Sequence, residues 1–178
     1  EPQKFILLSF HPETKTKINI NIQLKILEKI IKKVNFRFII SYPNADFGNH
    51  KIIKFYKKIL NSCSNVTVIK NCGQDLFLNF INYSSLMIGN SSAGIVESSF
   101  LNKASINIGS RQRNRYKSKS IHNVDIKSKT IEKKISLGIN SIPAKLNLPS
   151  KEEIDNLVTG IDGVNKKVDA LNKEYVNA

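Results

Sequence analysis

Short apolar runs alternate along most of this chain with longer stretches of helical spacing, and few folds satisfy that rhythm. Residues 4–9 (KFILLS), 36–40 (FRFII), 66–69 (VTVI), 86–88 (LMI) and 104–108 (ASINI) read as buried strands. Residues 21–33 place Leu24, Leu27 and Ile31 on one helical face, widened by Ile22, Ile26 and Ile30. Residues 49–60 do the same with Ile52, Ile53, Tyr56 and Ile59, and residues 74–82 with Leu76, Phe77 and Phe80. A further helix is predicted over 94–101, and a last strand–helix pair over 124–126 and 130–137. Apolar strands separated by helices predict an α/β domain: a doubly wound parallel sheet covered on both faces.

In such sheets ligands bind beyond the carboxyl ends of the strands. Four polar loops fall there: 10–14 (FHPET), 42–48 (YPNADFG), 89–94 (GNSSAG) and 109–115 (GSRQRNR). The last is unusual for this chain, which has four Arg against twenty-four Lys; Arg111, Arg113 and Arg115 are three of the four. Guanidinium makes planar, bidentate contact with phosphate or carboxylate, which an ammonium cannot reproduce. The Gly/Ser turn at 89–94 precedes a predicted helix, so it offers backbone N–H groups and a positive helix end to the same kind of anion. Together the two loops predict a phosphate site. Neither a GxGxxG nor a Walker sequence is present, which argues against a standard dinucleotide or P-loop site.

Several side chains in these loops have two readings each. His11 either binds phosphate or moves a proton, or simply closes the loop after the first strand. Asn44 and Asp46 either meet a ligand or serve as turn residues in a Pro-Asn-Ala-Asp-Phe-Gly segment. Ser91 and Ser92 suit a helix cap and an anion contact at once. Glu97 is either a solvated charge or an acceptor for sugar hydroxyls beside the phosphates. Arg111 reads as functional. No Ser–His–Asp order, metal-spaced His/Cys set or paired catalytic carboxylate is evident, so neither a metal nor a cofactor is predicted.

The 178 residues fit one ordinary domain with an appendage, and no apolar run approaches the ~20 residues of a membrane span. The net charge of +14 comes from evenly spread Lys and lacks the interleaved aromatics of a nucleic-acid groove, so no nucleic-acid or membrane partner is expected. Cys63 and Cys72 stand in unrelated contexts and read as reduced thiols of a cytoplasmic protein. The opening EPQKFILLSF has no signal-peptide pattern, and the missing start Met suggests a fragment or a processed chain. Residues 138–149 read as a linker after a domain over 1–137. Ser150 and Glu153 then have capping-box spacing for a C-terminal helix over 150–176. Ile154, Leu157, Ile161, Val164, Val168, Leu171 and Tyr175 follow a heptad, which Gly160 and Gly163 weaken by ~1 kcal/mol each. A helix packed on its own domain and a short coiled coil making a homo-oligomer both fit.

The loop sequences, with MIGNSSAGIVES (87–98) and NIGSRQRNR (107–115), resemble the C-terminal half of UDP-N-acetylglucosamine 2-epimerases over roughly residues 4–137. The likeness is especially to the hydrolysing branch, which makes N-acetylmannosamine for sialic-acid-type sugars, with a non-hydrolysing epimerase as the other reading. The resemblance implies the second Rossmann-like domain of a GT-B architecture, with UDP or UDP-GlcNAc as ligand. It implies that Ser91, Ser92 and Arg111 hold the diphosphate and that Glu97 holds the ribose hydroxyls. His11 would lie near the phosphates and support departure of UDP, and Asn44 would sit beside the nucleotide. The uracil would be read by main chain near Asn71 and Cys72. The family eliminates UDP and then hydrates the unsaturated sugar. This chain departs from the family pattern at Asn114, where Gly is usual, and at Ala104, near which Pro is frequent. The family's first domain, which carries the carboxylates that handle the sugar C2 proton, has no counterpart here, so this half alone is expected to be inactive. A non-catalytic nucleotide-sugar module that oligomerises and the donor domain of a GT-B glycosyltransferase are the alternatives.

Overall fold

The computed structural model describes residues 4–13, 16, 18–115 and 118–140, with Thr159 and Gly163 in isolation. Six parallel strands form one sheet in the order β3-β2-β1-β4-β5-β6. They are β1 (Phe5–Ser9), β2 (Arg37–Ser41), β3 (Val66–Ile69), β4 (Leu86–Gly89), β5 (Ser105–Ile108) and β6 (Ile121–Val124). The helices are α1 (Ile20–Lys33), α2 (Asn49–Ser62), α3 (Gly73–Tyr83), α4 (Val96–Phe100) and α5 (Ser128–Asn140). The fold is therefore a Rossmann-like, doubly wound α/β domain.

The residues explain the layers. Every residue of β1, β4 and β5 is buried, as central strands covered on both faces require. One core gathers Ile6, Leu8, Phe38 and Ile40 with the inward residues of α1, α2 and α5. The opposite core is smaller and joins Phe5, Leu7, Ile39 and Met87 to Phe80, Ile81 and Ala93. Asn19 caps α1, its side chain accepting from the Asn21 N–H at 2.8 Å, and Lys32 and Lys33 occupy the last turn, where the helix end is negative.

Two elements differ from their sequence pattern. The stretch read as one helix over 94–101 begins instead as a 3-10 turn, Ser92–Gly94, and only then becomes the five-residue α4. Ser91 caps that tight turn by accepting from the Ala93 N–H at 3.3 Å. The last strand is Ile121–Val124 rather than 124–126. Only its two ends are buried, while Ile126 packs into the core just after the strand, so the apolar density lies C-terminal to the hydrogen-bonded residues. The helix α5 runs on to Asn140. The remainder of the segment read as a linker, and nearly all of the predicted tail helix, lie outside the described residues. Among the described residues, no helix is long and apolar enough to cross a membrane.

Candidate functional site

The strand order reverses direction between β1 and β4, so the loops leaving these neighbours diverge and open a crevice. Both strands end at Ser9 and Gly89, which face each other in register. A Cβ at Gly89 would overlap the Ser9 carbonyl oxygen, and its φ of 137° suits only glycine. The two loops can approach this closely only because residue 89 has no side chain.

Asn90 follows at once and is fully buried. Its Oδ1 accepts from the His11 N–H at 2.7 Å, and its Nδ2 donates to the His11 carbonyl at 2.9 Å. Its own N–H donates to the Ser9 carbonyl at 3.1 Å. Its carbonyl oxygen accepts from Arg111 Nη1 at 3.3 Å and from Gln112 Nε2 at 3.0 Å. Arg111 also donates from Nη2 to Asp46 Oδ2 at 3.2 Å. The loops after β1, β2, β4 and β5 are thereby tied into one corner. A further tie joins Glu13 to the β5 loop: its Oε1 accepts from the Ser110 N–H at 2.8 Å and from the Ser110 hydroxyl.

The His11 ring is held in one state. Its Nδ1 accepts from the Asn44 N–H at 3.1 Å, so in the neutral ring the proton sits on Nε2, which lies 3.4 Å from Ser9 Oγ. Burial pulls its pKa down from the ordinary 6.5 to about 4; the Arg111 charge adds to this, and Asp46 opposes it. At neutral pH the ring is uncharged, with one N–H to donate.

A cleft of roughly 500 Å³ opens beside this corner. His11, Tyr42, Pro43, Asn44, Asn71, Cys72, Phe77 and Ser91 are among its walls. The structure thus brings His11, Asn44, Cys72 and Ser91 to one cavity. Arg111, tied to Asn90 and Asp46, is not among its walls, and neither are Ser92 and Glu97. Glu97 lies in the first turn of α4, and its Oε2 is buried with no hydrogen-bond partner. Burial raises the pKa of the Cys72 thiol, and Cys63 and Cys72 are both free. Asn71 Oδ1 accepts from the Gly73 N–H at 3.1 Å and so shapes the loop beside Cys72.

Residues 1–156 match the profile of the family described as UDP-N-acetylglucosamine 2-epimerase. The chain belongs to that family. A hydrolysing UDP-N,N'-diacetylbacillosamine 2-epimerase of Legionella pneumophila is 32% identical over 124 residues, covering 70% of this chain and 33% of that protein. The polysialic acid biosynthesis protein P7 of Escherichia coli is 29% identical over 180 residues, covering 97% of this chain and 45% of that protein. The chain therefore spans less than half the length of these relatives. Among solved structures, the UDP-GlcNAc 2-epimerase of Methanocaldococcus jannaschii in complex with UDP-GlcNAc and UDP has the same fold, with a TM-score of 0.62 and 15% identity over 79% of this chain and 40% of that one. The UDP complex of MnaA from S. aureus gives a TM-score of 0.60 and 17% identity over 78% of this chain and 37% of that one.

Within this epimerase-family domain, sequence reasoning passed over three residues at the corner. Asn90 and Gln112 had no signal of their own, each being one polar residue inside a polar loop. Glu13 was visible only as part of FHPET. A second depression, roughly 800 Å³, lies beside the amino end of β2, where Lys33 to Phe36 meet α5. It is at the wrong end of the sheet for a ligand of this fold.

Proposed function

We propose that this chain is the UDP-sugar-binding half of a hydrolysing UDP-GlcNAc 2-epimerase, the branch that releases UDP and N-acetylmannosamine for sialic-acid-type sugars. The observation that carries the reading is the corner at the β1–β4 crevice, where His11 and Arg111 are both fastened to Asn90 beside a cleft walled by Asn44 and Ser91. In this reading Ser91, Ser92 and Arg111 hold the diphosphate. The Ala93, Gly94 and Ile95 amides are already engaged around the 3-10 turn, so the hydroxyls and first amides of the turn supply the contacts. Glu97 accepts from the ribose hydroxyls, which would give its buried Oε2 the donor it lacks. The uracil lies along the main chain of Asn71 and Cys72, with Asn44 beside the nucleotide.

The chemistry asked of this half is to receive a leaving group. When the sugar C1–O bond breaks, its electron pair goes to the β-phosphate oxygen. Arg111 and the N–H donors stabilise that charge, the electrostatic part of the catalysis. His11 is neutral with its proton on Nε2, so it donates a hydrogen bond to a phosphate oxygen without first gaining a proton. The C2 proton leaves to a group outside this chain, on the partner domain that the longer relatives supply. This half alone binds UDP and does not turn over.

Isothermal titration with UDP tests the reading. We expect measurable binding and at least ~10-fold weaker affinity for Arg111→Ala, the scale of one charge-assisted contact. Heatless titration at millimolar UDP sinks the proposal; an unchanged affinity in the variant removes Arg111 from the site.

A further inference from the structure

We propose that Asn90 is a positioning residue of the anion site: its side chain clasps the backbone of His11 while its carbonyl oxygen gathers Arg111 and Gln112, so that one buried residue fixes the spacing of the two groups that meet the phosphates. The inference rests on the UDP-binding reading above, because only that reading gives the spacing of His11 and Arg111 a purpose.

The geometry is specific to an asparagine. The His11 peptide presents both an N–H and a carbonyl to Asn90, and a primary amide answers them at 2.7 and 2.9 Å. A carboxylate would answer only the first, and a serine hydroxyl ends one bond short of the amide's oxygen and nitrogen. The residue has no exposure, so a lost bond there is not replaced by water. Its main chain works at the same time. The N–H is spent on Ser9, the register partner of Gly89, and the carbonyl takes one donor from Arg111 and one from Gln112. Gln112 is 3% exposed and its Oε1 has no partner, so its side chain is committed to Asn90 by a single bond. Asp46 completes the bracing by taking Arg111 Nη2 from the other side. Arg111 is therefore braced at two of its five donors, which leaves the others for a ligand.

The position of His11 has a readout independent of any ligand. Burial and the nearby Arg111 charge keep its ring from taking a proton until about pH 4, against Asp46, the facing acid. Loosening the clasp admits water to the ring, which raises the titration point, while Arg111 keeps its bond to the residue-90 carbonyl in either variant. The test compares the unmodified chain with Asn90→Ala and Asn90→Ser. The measurements are a histidine-ring NMR titration, with His11 assigned by its loss in His11→Gln, titration calorimetry with UDP, and thermal melting. We expect His11 to titrate near its ordinary value in both variants and UDP affinity to fall about tenfold, the size of one lost buried hydrogen bond. Asn90→Ser, which keeps a polar atom in the buried position, carries the same readouts if Asn90→Ala does not fold. A lower melting temperature with unchanged His11 titration and unchanged UDP affinity would make Asn90 a merely structural residue and overturn the proposal. Should the unmodified chain bind no UDP, the binding reading fails, and the His11 titration alone still decides whether the clasp exists.

Discussion

The two ends of the same six strands manage polar groups in opposite ways. At the amino end, paired charges keep their ammonium groups in water: Lys33 reaches Glu132 at 2.5 Å from a side chain 62% exposed, and Glu28 takes both Lys32 and Lys58. Pairs of this kind contribute about 0–1 kcal/mol each. At the carboxyl end, polar groups are bonded across loops, buried for Asn90 with His11 and Gln112 with Asn90 and half-buried for Ser110 with Glu13. A buried group that loses its partner there costs about 1–3 kcal/mol. The contrast teaches where to look for function in a sheet whose core is mostly apolar. Solubility needs the first arrangement. Only a site that must hold several loops at fixed spacing needs the second.

Four changes would break or sharpen this contrast. The largest effect belongs to Gly89→Ala, whose Cβ would overlap the Ser9 carbonyl, a backbone atom that cannot swing away. We expect a loss above ~4 kcal/mol, or no folded protein, read by urea unfolding. Second is the His11 titration. Its folded pKa of about 4 lies below the ordinary 6.5, so the unfolded chain binds the extra proton in between. Stability from this group is complete above pH 6.5 and falls as pH drops toward 4, by roughly 3 kcal/mol at most. Urea midpoints at pH 7, 5.5 and 4 should show the slope, and His11→Gln should flatten it. Third, Gly109→Ala adds a Cβ 2.7 Å from Glu13 Oε2 at a φ of 80°. The contact is with a side chain that can shift, so we expect about 1–2 kcal/mol, with a tie between the β1 and β5 loops loosened. Smallest is Glu132→Gln at the amino end. It should change stability by less than ~1 kcal/mol and leave UDP titration untouched. A larger effect on binding would erase the distinction between the two ends.

The sequence made the layers legible because core strands and helices repeat at different periods. The run over 66–69 matches β3, and α1 extends the predicted stretch by one residue. Legibility failed where a side chain's partner is distant in sequence. Asn90 looks like a turn residue in GNSSAG, and only the fold brings it to His11, 79 residues away. Glu97 is similar: the α4 pattern places it in a first turn, but its buried, partnerless Oε2 is a property of the packed corner. The 3-10 turn before α4 was hidden for another reason. Its Ser, Ala and Gly are equally at home in a helix start, and the tightening comes from the Ser91 cap.

The bond between His11 and Asn90 also bears on how the domain assembles. The β1-α1-β2 and β4-α4-β5 units each form from neighbouring residues, whereas this clasp closes a loop of 79 residues. Such a closure costs chain entropy before its contacts can repay it, as does the β1–β4 pairing beside it. The corner is then a seam between the two halves of the sheet, and in the UDP-binding reading a ligand held there would bear directly on whether the seam is closed.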